Sequence, residues 1–213
     1  MNQEQVWNGG TNRVTRHINR RPAVNAHHAS RFSEAIGLPL NRFVTVNFTC
    51  TACAPNETSH TFRKLLAERF APWLRRTARN RVGVPPTYIW TIEAGGNQSA
   101  AHWLVHVPRG LQRAFEAKLG EWLTSLLGSD PDFGAVQVKP IHNLIGARRY
   151  ALKGVDPAWG PHLGIRPSDQ GVVIGKRSGF SRNLGPAART RGGYRPRRMP
   201  PRTSAPAATP PNG

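Results

Sequence analysis

Three stretches of this chain alternate apolar and polar residues so regularly that they constrain the fold more than any other feature: RFVTVNFT from Arg42, TYIWTIE from Thr87 and AAHWLVHV from Ala100. Successive side chains of a strand point to opposite faces, so each stretch predicts a half-buried strand. Val44, Val46, Phe48, Tyr88, Trp90, Ile92, Trp103, Val105 and Val107 share one face. Thr45, Asn47, Thr49, Thr91, Glu93, His102 and His106 share the other. Between the strands the period changes. Phe62, Leu65, Leu66, Phe70, Trp73 and Leu74 recur at helical spacing, with Pro72 expected to bend the helix. Leu111, Phe115, Leu119, Trp122, Leu123 and Leu126 mark a second helix, AVQVKPI a short fourth strand, and NLIGARRYALKG a third helix ending at Gly154.

The resulting order, β-α-β-β-α-β and a helix, predicts an α+β fold of the ferredoxin-like kind, an antiparallel sheet with helices on one face. The reading divides the chain into a basic, mostly flexible N-terminal arm (1–40), the ferredoxin-like domain (41–160), a basic loop and strand extension (161–184) and a disordered Arg/Pro-rich tail (185–213). His27 and His28 fall in the arm and read as incidental. In the extension, GVVIGKRSG lacks the spacing of a phosphate-binding loop, and VVI suggests a short strand.

Charge narrows the partners. With 30 Lys and Arg against 11 Asp and Glu, the formal charge of +19 favours polyanions, nucleic acid foremost. No apolar run approaches the roughly 20 residues a membrane span needs, and the first residues lack the apolar stretch of a secretory signal. No membrane partner and a cytoplasmic location are therefore expected. Cys50 and Cys53 form a CTAC unit with His60 as a conceivable third ligand and no fourth; they read better as reduced residues at a strand end. Arg148, Arg149, Lys176, Arg177 and Arg182 are the candidate nucleic-acid contacts, and Trp159 and Phe180 either stack on bases or pack against the core.

Positions two apart on a strand lie about 6.6 Å apart and can converge on one ion, whereas His102 and His106, about 13 Å apart, cannot. Glu93, across a short hairpin, is the better companion for His102. A first strand like FVTVNFT, a strand ending in Glu93, a strand carrying His102 and a later helix with Tyr150-Ala151-Leu152-Lys153 together resemble the HUH endonucleases, the rolling-circle replication initiators of plasmids and phages among them. The resemblance covers roughly residues 41–155. It implies that Glu93 and His102 are ligands of Mg²⁺ or Mn²⁺, that Tyr150 is a nucleophile toward a DNA phosphodiester and that Lys153 positions the phosphate. It further implies single-stranded or origin DNA as substrate; a separate helicase is a candidate partner, since no motor motif is read in the sequence, which leaves open whether one is needed.

The chain departs from the family where the first of two motif histidines is expected, since residue 100 is alanine. Either Glu93 and His102 hold the metal with a third group, Gln98 or His142, or the site is degenerate and the protein binds DNA or RNA without cutting.

Overall fold

The computed structural model describes residues 13–77, 83–96 and 98–195. In chain order the elements are β1 (Val14–Thr15), α1 (Arg20–Ala35), β2 (Arg42–Asn47), α2 (Thr58–Lys64), a π-helical turn (Leu65–Phe70), α3 (Ala71–Thr77), β3 (Tyr88–Glu93), β4 (Ala100–Val105), α4 (Gln112–Leu127), β5 (Val136–Pro140), α5 (Leu144–Ala151), β6 (Val173–Ile174), β7 (Ser178–Phe180) and α6 (Pro186–Arg191). The fold is α+β. Its main sheet has the order β5-β2-β4-β3-β7 with every neighbouring pair antiparallel, and β1 and β6 form a separate two-stranded sheet.

The alternation seen in the sequence sets the first core. Val44, Val46, Trp90, Ile92, Ala101, Trp103 and Val105 point to one face, where they meet Phe62, Leu65, Phe70 and Leu74 from the first helical segment and Phe115, Leu119 and Leu123 from α4. Phe70 is the hub, its ring centroid 4.8 Å from Trp103, 5.8 Å from Phe115 and 6.1 Å from Tyr88. Pro72 explains the interruption between α2 and α3. It has no N–H for the carbonyl four residues back, and the helix responds with a π turn in which the Ala71 N–H donates to the Leu66 carbonyl.

The second face is not open, as the sequence suggested, but covered at one end. Ile89 and Leu104 lie under Ala29 and Phe32 of α1, Ala151 of α5 and Leu184, with Phe43 packed alongside. The expectation of helices on one face is therefore corrected, because these inward side chains of the "polar" face are apolar and need cover. Its polar half, with Thr45, Asn47, Glu93 and His102, remains beside a cavity.

Both terminal segments differ from the expected flexible arm and tail. Residues 20–35 form a sixteen-residue helix whose buried positions are Ala23, Ala26, Ala29, Ser30, Phe32 and Ser33. Residues 186–191 form α6, where Arg189 is buried and donates to Asn25 of α1, and Tyr194 packs its ring 5.4 Å from Phe32. The rest of the expected tail, residues 196–213, lies outside the described residues. The expected VVI strand is β6, paired with β1, while the edge of the main sheet is β7. Gly179 of β7 faces Trp90, and a Cβ there would stand 2.7 Å from the indole nitrogen, so only glycine lets the edge strand close over that ring. No helix among the described residues is long and apolar enough to cross a membrane.

Candidate active site

Strand register brings the first two site residues together. Ala100 is paired with Asn47 on one side and Glu93 on the other; His102, two residues along on the same face, is paired with Thr45 and Thr91. Glu93 and His102 are thus diagonal neighbours, and long side chains at such positions reach one another. His102 is buried at 3 % exposure; its Nδ1 lies 3.3 Å from Thr45 Oγ1 and its Nε2 3.0 Å from Glu93 Oε2.

Helix α5 delivers the other two. Asn143 caps it by accepting from the Gly146 N–H at 2.9 Å, and Thr91 Oγ1 donates to the Ala151 carbonyl at 2.8 Å, locking its last turn to β3. Ala151 and Leu152 are buried, which turns Tyr150 outward at 51 % exposure and sends Lys153 back to the sheet. The Tyr150 ring centroid stands 5.1 Å from that of His102 and 5.8 Å from that of Phe43. Lys153 Nζ is 2.9 Å from Glu93 Oε2 and 4.2 Å from the Tyr150 ring centre. Glu93 of β3, His102 of β4, Tyr150 of α5 and Lys153 of the turn after it therefore form one constellation.

Its electrostatics follow from these contacts. Burial alone would raise the Glu93 carboxyl, but the His102 and Lys153 contacts outweigh it and hold the group at about 2. Burial works against the Lys153 ammonium too, yet Glu93 and then Tyr150 raise it above its ordinary value. Glu93 Oε2 and His102 Nε2 are nonetheless buried without an angularly aligned hydrogen bond. The Lys153 contact with Glu93 is an ion pair, while the Glu93 and His102 atoms lie close without the alignment of a hydrogen bond.

A cavity of about 490 Å³ opens over this group, lined by Thr45, Asn47, Glu93, Gln98, Ala100, His102, Gln137 and Tyr150. Of the two expected third ligands, Gln98 faces this cavity, while His142 lines a neighbouring one beyond Tyr150. Among the described residues no three His, Cys, Asp or Glu side chains are grouped to hold a metal ion. His106 is held at the other end of the sheet, its Nδ1 2.8 Å from the Pro39 carbonyl. Cys50 and Cys53 are free thiols, and burial pushes the Cys53 thiol up.

Two of the five expected nucleic-acid contacts are structural. Arg177 is buried and donates to the carbonyls of Thr15 at 2.8 Å, Gln170 at 2.6 Å and Gly171 at 2.8 Å. Arg148 is buried and donates to Ser30 Oγ at 3.0 Å. Both guanidiniums are buried and donate inward, with Arg177 Nε buried and without a partner, so neither offers the expected charge to the surface. Arg149, Lys176 and Arg182 are exposed. Arg182 lies on a separate cavity of about 740 Å³ with Arg75 and Tyr88, at the opposite end of β3 from Glu93. Trp159 packs with Ile18 and Leu152 beneath Arg20, whose guanidinium carbon is 4.5 Å from the ring centre, and Phe180 packs against the second core.

The sequence reading missed one large side chain at the site. Phe133, a single apolar side chain in the turn DPDFG, lines the cavity together with Gly134 and carries no periodic signal to mark it. Compared with known proteins, the chain matches no family model, no curated protein and no solved structure.

Proposed function

We propose that this protein is a DNA-binding enzyme that nicks and rejoins single-stranded DNA through Tyr150, in the manner of the HUH replication initiators. The observation that carries the reading is the exposed Tyr150 phenol, set between the His102 ring and the Lys153 ammonium over a cavity. The sheet order supports the likeness: β2 and β3 run parallel with β4 between them, the split arrangement of a ferredoxin-like chain.

Tyr150 Oη attacks the phosphorus, forming the tyrosine–phosphate bond while the bond to the 3′-oxygen breaks. The phenol proton leaves to solvent, to which Tyr150 is open, and the departing 3′-oxygen takes up a proton. The products are a 5′-phosphotyrosine and a free 3′-hydroxyl, and the reverse attack reseals the strand. Lys153 supplies a tethered positive charge beside both the phenol and an incoming phosphate. Glu93, held at about 2, stays ionised at neutral pH and fixes Lys153 and His102 rather than moving protons.

The donor set fits Mg²⁺ or Mn²⁺ in part. Glu93 Oε2 and His102 Nε2 converge, buried and unaligned to each other, as two ligands of one ion would, and Gln98 faces the same space. The remaining positions would fall to water and the substrate phosphate, so binding is weak. Such an ion, when bound, supplies charge to the non-bridging phosphate oxygens.

A second reading, a nucleic-acid-binding protein with a decayed site, is favoured by Lys153 Nζ standing on the same Glu93 oxygen and by Ala100 in the cavity wall. One experiment separates them. Single-stranded DNA labelled at its 3′ end is incubated with Mn²⁺ or Mg²⁺ and run on a denaturing protein gel beside Tyr150→Phe. Label on the wild type, lost in the variant, supports the nuclease; binding with no adduct under either metal supports the decayed site.

A further inference from the structure

Phe133 is an apolar side chain that the packing of the domain leaves unused. It is fully exposed, yet it lines the cavity of Glu93, His102 and Tyr150. Burying a phenylalanine is strongly favourable, so leaving one in water at this rim forgoes a real gain.

Its backbone is well anchored. The Asp132 N–H donates to the Cys50 carbonyl at 2.9 Å, the Ala135 N–H to the Asp132 carbonyl at 3.1 Å, and the Asn47 N–H to the Ala135 carbonyl at 2.7 Å. Gly134 turns the chain at φ +87°, a conformation that other residues rarely adopt. The turn thus fixes where the ring is presented.

The surroundings form a groove. The cavity over Tyr150 shares Thr45, Gln137 and Tyr150 with a second cavity of about 370 Å³, flanked by Lys139 and His142. It shares Glu93 and Gln98 with a third, of about 390 Å³, beside Lys153. Tyr150 stands where the first two of these cavities meet, and the continuity of the three suits a polymer passing through. The strongly positive chain favours a polyanion.

We propose that Phe133 is a base-stacking residue: a single strand runs along the groove, and the nucleobase beside the phosphate facing Tyr150 lies on the Phe133 ring. Every base has a flat face, so such stacking tolerates any sequence, while the bases of a duplex are already stacked on one another. Phe133 would therefore select unpaired strands without reading their sequence. The proposal rests on the reading that this groove receives nucleic acid, but not on cleavage.

The test uses the full chain with a fluorescein-labelled oligothymidine, a duplex of equal length, and a single strand carrying 2-aminopurine. Phe133→Ala is expected to weaken single-strand binding roughly 5- to 100-fold, to leave duplex binding and the melting temperature unchanged, and to abolish the 2-aminopurine quenching seen with wild type; Phe133→Trp restores both. If wild type binds the strand and Phe133→Ala binds it as tightly, with the same quenching, stacking is wrong and the nucleic-acid reading stands. Equal loss toward strand and duplex overturns the selectivity. A wild type that binds no single strand removes both readings together.

Discussion

Ala100 is paired directly with Glu93 across β4 and β3, so a methyl group stands beside the carboxylate at the cavity wall. An imidazole there would share a face with His102 about 6.6 Å along the strand, close enough for one ion to bridge both. Ala100→His is expected to tighten Mn²⁺ binding at least tenfold, read by isothermal titration, and to raise Tyr150 adduct formation at limiting Mn²⁺. Unchanged metal affinity in a folded variant would remove Glu93 and His102 as ligands.

Acid should weaken the fold in two stages. Burial, followed by Arg148, His28 and other cations, holds His27 at about 4, below its ordinary 6.5. The unfolded chain thus binds the extra proton first, and stability falls as pH drops from about 6.5 toward 4. Glu93 has its carboxyl depressed from 4.5 to about 2. Its contribution is complete above the unfolded value and is lost as pH falls from about 4.5 toward 2. Urea melts of wild type and Glu93→Gln should differ by about 1–3 kcal/mol at pH 7 and converge only below roughly pH 2. A His27→Gln variant should shrink the upper stage, which half-buried His28 and His106 also feed, and leave the lower one unchanged.

Arg177 and Arg149 should behave as opposites although both are arginines of one basic chain. Arg177→Met takes a donor from three part-buried carbonyls, of which that of Gln170 keeps the Ala94 N–H, and is expected to cost about 2–4 kcal/mol in a denaturant melt. Exposed Arg149→Ala should change stability by less than about 0.5 kcal/mol and lower the salt dependence of DNA binding by about one phosphate contact. A stable Arg177→Met with weakened DNA binding would return that residue to the surface role.

Thr91→Val tests the anchor of α5. It removes the donor to the Ala151 carbonyl at nearly constant shape, and an unpaired buried carbonyl costs about 1–3 kcal/mol. Because that bond sits between Tyr150 and Lys153, adduct formation should fall more steeply than strand binding, which gel and anisotropy assays on one preparation would show.

The strands and the pairing of Glu93 with His102 were legible because alternation and loop length leave little freedom to a hairpin. Helix α1 was not, for its inward face is built from Ala23, Ala26, Ala29, Ser30 and Ser33, with Phe32 the one large apolar member. Small residues permit close approach but produce little contrast between the two sides of a helix. Arg148 and Arg177 could not be told from surface arginines, since the carbonyls and hydroxyl they satisfy lie up to 162 positions away. Tyr150 was found through its neighbour Lys153; Phe133 had no neighbour to announce it.

The clasp of Arg189 on Asn25 joins positions 164 apart and ties the two outermost helices together over Ile89 and Leu104. A chain trimmed to its periodic middle would keep every residue of the tyrosine site and still lose the roof of its second core. Ile89, Leu104 and Phe43 would then face water, so shortened versions are expected to aggregate even where the sheet itself still forms.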